Sequence, residues 1–132
     1  MKKTVLIFVS AFVLNLIWEN LHSVLYLNYQ GGTITELILL QATLWDAIFI
    51  SIICLPFVTY PKIKYPKFWI AISGLILAVL IEKFALATGR WAYDPSMPLI
   101  PVLNIGLTPA IQLGLSGFLS YTICDRWIVS KI

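Results

Sequence analysis

Charge is scarce in this sequence. Nine Lys+Arg and six Asp+Glu make up 11% of 132 residues, where a soluble domain carries roughly 25%. Against that scarcity stands an apolar content of 60%, more than a water-soluble protein of this size could hide. Disorder requires the opposite balance, low hydrophobicity with high net charge. Seven Gly and seven Pro exclude collagen-like and low-complexity classes. Histidine occurs once and cysteine twice, at Cys54 and Cys124, with no C-x-x-C or Cys/His spacing. A zinc or haem centre therefore has no ligand set, and no metal or other cofactor is expected. The two cysteines read as reduced, small apolar residues. The net charge of +3 forms no basic stripe, so nucleic acid is not an expected partner. No phosphate loop, nucleophile elbow or H-E-x-x-H is present. An integral membrane protein remains.

A spanning helix needs about 20 mostly apolar residues. Four stretches qualify: about Thr4–Leu27, Leu37–Val58, Phe68–Thr88 and Val102–Ile123. None alternates with the period of a barrel strand. The expected fold is all-α: one integral-membrane domain over 1–132, a polytopic four-helix bundle. The amino end, Met1-Lys2-Lys3 before an apolar run, mimics a secretory signal. It has no A-x-A-like cleavage site and reads as a retained first helix. Lys2, Lys3, Lys62, Lys64, Lys67, Arg126 and Lys131 fall on one side, Lys83 and Arg90 on the other. The positive-inside rule then puts both termini in the cytoplasm, in a multi-pass protein of the plasma (inner) membrane. Gly31-Gly32 turn the loop Leu27–Glu36, and Tyr60–Phe68 (YPKIKYPKF) separates the second and third helices. Gly89–Pro101 is the longest connection, a class often functional.

Depth along each helix, at 1.5 Å per residue, shows an asymmetry. Glu19 lies about 20 Å from the cytoplasmic end of the first helix, with His22 higher, and Asp46 roughly 13 Å below the outer surface. Glu82 and Lys83 reach nearly the level of Glu19, and Asn104, Thr108 and Gln112 fall in the same outer half. The inner half holds only hydroxyls such as Ser10, Ser51, Ser73, Ser116 and Ser120. Asn15, Glu19, His22 and Tyr26 share one helical face, and Ala71, Gly74, Ala78 and Glu82 another. Small residues on the second let helices approach closely. Pro109 is expected to free the carbonyl of Ile105. The expectation is a bundle packed below and opening into a polar chamber above.

Intramembrane carboxylates cost at least about 2.5 kcal/mol each at a helix centre and normally find partners. Glu19, Asp46 and Glu82 are thus the candidate catalytic groups. Desolvation and mutual repulsion disfavour charging all three, so at least one is expected to be a neutral, proton-donating acid. Bland roles compete. Glu82 can pair with His22 or Lys83 to hold helices in register, Asp46 and Gln112 can be interhelical glue, and His22 can simply satisfy Glu19. Trp69, Trp91 and Trp127 fit an interfacial belt, whereas Trp18 and Trp45 lie deeper.

Asn15-Leu16-Ile17-Trp18-Glu19 is similar to the N-x-x-W-E of small membrane-embedded terpene cyclases that make meroterpenoids. Thr88-Gly89-Arg90-Trp91-Ala92-Tyr93-Asp94-Pro95, with Pro109 following, resembles the T-G-x-W-x-Y-x-P…P-x-E-E run of the lycopene-cyclase domain. The resemblance runs through these short motifs, with no full-length match. Pro109-Ala110-Ile111-Gln112 stands where the second pattern has its acidic pair. Four helices stand where the terpene cyclases have seven, which a homo-oligomer could make up. The resemblance implies isoprenoid cyclisation or isomerisation started by protonation. Glu19 or Asp46 would donate, Glu82 would take the final proton, and Trp18, Trp45 and Trp91 would line the path. Asn15, His22, Tyr93, Asn104 and Gln112 complete the expected substrate-binding set, with a membrane lipid or isoprenoid as partner. A proton-coupled small transporter and a non-enzymatic accessory or structural membrane subunit are the alternatives.

Overall fold

The computed structural model describes residues 1–29, 31–62 and 64–130; Lys131, counted above among the cytoplasmic cations, lies outside them. Four helices dominate: α1 (Lys2–His22), α2 (Glu36–Thr59), α3 (Phe68–Ala87) and α4 (Leu107–Val129). The segment Lys2–Leu25, α2 and α3 are long and apolar enough to cross a membrane by length and composition, with hydropathies of 1.7, 2.1 and 2.2. At 23 residues α4 is as long, but it falls outside that set because Gln112, Ser116 and Ser120 lower its hydropathy.

The chain is mostly helical, as expected, and its connections add short strands. Short strands β1 (Tyr26–Tyr29) and β2 (Trp91–Tyr93) pair antiparallel, and β3 (Leu99–Ile100) pairs with β4 (Ile105–Gly106). The first helix therefore ends at His22 rather than near Leu27. After a 3-10 turn at Ser23–Leu25, the Leu25 carbonyl accepts from Asp94 N at 2.8 Å, and Tyr26 pairs with Tyr93 in β2. Backbone pairing between two distant loops, which no local periodicity announces, outcompetes further helix. The fourth helix begins at Leu107 rather than Val102, because 99–106 forms its own tight hairpin. Val102 (φ 72°) and Asn104 (φ 53°) occupy left-handed conformations in its turn, which a helix cannot contain. Pro109 thus falls in the first turn of α4, where its amide has no intrahelical partner to lose. Ile105 lies in β4, ahead of the helix, so its carbonyl is not one freed within a helix as expected.

Helix ends elsewhere follow local chemistry. Thr35 caps α2, its Oγ1 accepting from Ile38 N at 3.3 Å. Gly89 (φ 69°) turns the chain out of α3. In the loop beyond, Asp94 Oδ1 accepts from Ser96 N and Oγ at 2.9 and 2.7 Å. Those bonds hold this exposed carboxyl below its usual range.

Packing runs α2 on α1, α1 on α4 and α4 on α3, while α2 and α3 touch each other little. The tightest crossing is α3 on α4. A Cβ built at Gly74 would stand 2.5 Å from Gly114 N, and one at Gly114 would stand 2.5 Å from the Ala71 carbonyl oxygen. The small face expected on α3 is this seam. Around and below it, Ile7, Ala11, Ala47, Ile50, Cys54, Ile70 and Cys124 form an apolar core; both cysteines are free. Lys67 Nζ meets Asp125 Oδ2 at 2.6 Å at that end. The outside is apolar too. On α1, Val5, Val9, Val13, Ile17 and Leu21 are exposed while Asn15, Glu19 and His22 are buried, the reverse of a helix facing water.

Candidate functional site

Opposite the apolar core, the helices diverge around a cavity of about 380 Å³, within the size range of small-ligand sites. Its floor comes from α1 and α4 (Glu19, Pro109, Gln112, Leu113). Its sides come from α2 and α3, and its roof from β1 and β2. Trp45 lines it and is 59% exposed, so this ring stands at the mouth, where α2 and α3 part. All three acids expected from the sequence, Glu19, Asp46 and Glu82, line this one cavity.

Two of them form a pair. Gln112 Nε2 lies 2.7 Å from Glu19 Oε1, 2.8 Å from Asp46 Oδ2 and 3.1 Å from Asn15 Oδ1. Tyr29 Oη donates to Glu19 Oε2 at 3.3 Å. His22 Nε2 approaches Glu19 Oε1 at 3.5 Å, while its Nδ1 sits 3.2 Å from Thr108 Oγ1. Below, Ser116 Oγ donates to Asn15 Oδ1 at 3.3 Å and the Asn15 amide donates to the Ala11 carbonyl at 2.7 Å. Apart from Tyr29, which comes from β1, these links use faces that helical spacing brings inward.

Glu82 stands apart from that group. Its Oε2 accepts from Tyr93 Oη, from Trp91 Nε1 at 3.1 Å and from Tyr26 Oη at 3.5 Å. These three neutral donors hold it, rather than His22, which serves Glu19, or Lys83, whose side chain is exposed. Tyr93 Oη in turn accepts from Gly106 N at 2.9 Å, tying the β3–β4 hairpin to the site. Tyr26, Tyr29, Trp91 and Tyr93 form an edge-to-face cluster, with Tyr26 and Tyr29 centroids 4.6 Å apart. Burial pushes the phenols of Tyr26, Tyr29 and Tyr93 well above their usual range. The neighbouring Glu82 and Glu19 carboxylates push further.

The other candidates divide. Trp45, Trp91 and Gln112 line the cavity; Asn15, His22 and Tyr93 stand one contact behind it. Trp18 packs its ring 6.2 Å from His22, and its buried Nε1 has no hydrogen-bond partner among the described residues. Asn104 is not brought in: it is exposed in the hairpin turn, outside α4. Sequence reasoning missed Tyr29 and Arg90, and it placed Tyr26 on the right face without assigning it to the site. The available signal was two aromatic runs, Tyr26–Tyr29 and Trp91–Tyr93, in connections at the same end of the bundle. Among the described residues no group of three or more His, Cys, Asp or Glu could hold a metal ion. No protein-family model matches the chain, and no curated protein or solved structure shows significant similarity to it.

Proposed function

We propose that this is a multi-pass membrane protein whose cavity admits a linear isoprenoid or similar lipid sideways, between α2 and α3, and carries out acid/base chemistry on it. In this reading α4 is a fourth span, and the end bearing Lys2, Lys3, Lys62, Lys64, Lys67 and Arg126 faces the cytoplasm of a plasma (inner) membrane. The cavity then lies in the outer half of the bilayer. The observation that carries the reading is the convergence of Glu19, Asp46 and Glu82 on one aromatic-walled cavity with an apolar exterior around it. Carboxyls are expensive at that depth and mark function by default.

The two carboxyl environments suit opposite roles. Glu19 and Asp46 share the Gln112 amide, and in this reading the pair supplies the proton. Glu82 accepts hydrogen bonds from Tyr93, Trp91 and Tyr26 on one oxygen and is assigned the role of final proton acceptor. Proton transfer from the Glu19–Asp46 pair to an alkene carbon forms a C–H bond and leaves a tertiary cation. The π pair of a second alkene attacks it, forming a C–C bond. Glu82 removes a proton beside the new cation and restores a double bond, so no proton is consumed overall. Trp45, Phe49, Trp91 and Tyr29 offer ring faces worth roughly 0.5–2 kcal/mol each to a passing cation. This is also the chemistry that the cyclase-like motifs imply.

The test is mass spectrometry of lipids co-purified with wild type and with Glu19→Gln, followed by turnover in D2O. A bound isoprenoid retained by wild type and lost in the variant, with one deuterium gained per cyclised product, is expected. No retained lipid, together with Glu19→Gln, Asp46→Asn and Glu82→Gln that leave stability and phenotype unchanged, would overturn the reading in favour of an accessory subunit. Proton-driven uptake into vesicles that vanishes with Glu82→Gln would overturn it in favour of transport.

A further inference from the structure

Arg90 also lines the cavity, and the chemistry proposed above makes no use of it. Its backbone is fixed from two sides: its N–H donates to the Ala85 carbonyl at 2.9 Å, and its carbonyl accepts from Gly31 N at 3.3 Å. The guanidinium lies 5.3 Å from the Phe84 ring centroid. Among the described residues the ion pairs are Glu19–His22 and Lys67–Asp125, so Arg90 has no carboxylate partner there. Glu82, on the same cavity, is already held by Tyr93, Trp91 and Tyr26. An exposed cation with a fixed backbone and no counter-ion among the described residues thus stands at the edge of the cavity. Gln41, exposed and lining the same cavity, adds an amide donor. From there the walls are apolar, with Ile38, Ala42, Phe49, Ala78 and Ile81.

We propose that the cavity takes a single-chain lipid with an oxyanion headgroup, phosphate or carboxylate, paired with Arg90 while the chain runs between α2 and α3. The assignment rests on the lipid-binding reading above and narrows it, since the guanidinium at the cavity edge offers an oxyanion a charge-assisted pair that a plain hydrocarbon cannot make. Arginine suits both headgroups, because its planar fork matches two oxygens at once. A headgroup fixed at Arg90 would also set how far along the chain the Glu19–Asp46 pair reaches. Arg90 is therefore a positioning residue, and the protonated carbon lies a fixed number of bonds from the headgroup.

The experiment is a binding titration with full-length protein in phosphatidylcholine nanodiscs, read by quenching of tryptophan fluorescence. The probes are geranylgeranyl phosphate against geranylgeraniol, and palmitate against hexadecanol. At least one anion is expected to bind about tenfold or more tighter than its alcohol, the gain of one charge-assisted pair. Arg90→Gln removes that preference and Arg90→Lys keeps part of it; whichever anion shows the larger preference identifies the headgroup. Equal binding of alcohol and anion to wild type, or a preference that survives Arg90→Gln, would overturn the headgroup assignment. If Glu19→Gln still releases the chain in that case, the lipid reading stands without it. Failure of every probe to bind overturns both.

Discussion

At the end where α1 and α3 begin, Ile50, Cys54, Ile70 and Cys124 meet with no buried carboxyl among them. At the other end, Glu19, Asp46 and Glu82 meet around a cavity. The same four helices build both regions, so the difference lies in side-chain size and in what the connections add. Glycines at the Gly74–Gly114 seam pin α3 to α4. Beyond it, Glu19, Gln112 and the β1–β2 roof occupy the space between the helices. The apolar end supplies rigidity, and the polar end gathers the buried carboxyls at a cost in packing. In the membrane-spanning reading proposed above, contact quality decides the first and hydrogen bonding the second.

Substitutions can break this contrast. The largest effect is expected at the seam. Gly74→Val would drive side-chain atoms into the α4 backbone, which cannot yield, at a cost of about 3 kcal/mol or more. Loss of folded protein on size exclusion in detergent checks it. Gly117→Ala is the milder control, since its Cβ would meet only Ile70 and Ile50 side chains at 3.3 Å and beyond. Next, Ile50→Ala in the apolar core should cost about 2 kcal/mol, at the low end of the usual range because lipid replaces water as the reference. Thermal denaturation in nanodiscs measures it, with lipid retention expected to survive in the folded fraction. At the polar end the ranking inverts. Gln112→Leu should cost only about 1 kcal/mol yet abolish lipid retention, because Glu19 and Asp46 lose their common donor. Equal stability losses for Ile50→Ala and Gln112→Leu would erase the division of labour.

The smallest effect at neutral pH concerns the roof. Tyr26, Tyr29 and Tyr93 keep their protons in the folded protein at pH values where an unfolded chain loses them, near 10.0. The folded state then binds more protons than the unfolded one. Their contribution is therefore complete below pH 10 and falls as pH rises above it. Absorbance at the phenolate band should show these three silent until base unfolds the protein. Tyr93→Phe should loosen the 99–106 hairpin, seen as faster amide exchange at Gly106, with little change in melting temperature.

Much of the bundle was legible because apolar runs bounded by glycine and proline leave few choices. The middle two helices match expectation to within a residue at each end. The misplaced boundaries share one cause. Ser23–Leu27 and Val102–Gly106 are apolar enough to extend a helix, and strand pairing removes them from it: with β2, far along the chain, for the first, and within a local hairpin for the second. The three acids stood out because a charge inside an apolar run is conspicuous. Tyr26 and Tyr29 did not, since a tyrosine in a connection reads equally well as an interfacial anchor. Arg90 was used only to assign sidedness. Whether it faces a cavity depends on a turn whose geometry Gly89 sets.

Gln112 offers two hydrogens to three oxygens, those of Glu19, Asp46 and Asn15. One acceptor is always left over. In the chemistry proposed above, rotation of one amide can meet a change of charge on either carboxyl, so the orientation of the Gln112 amide would follow the state of the pair.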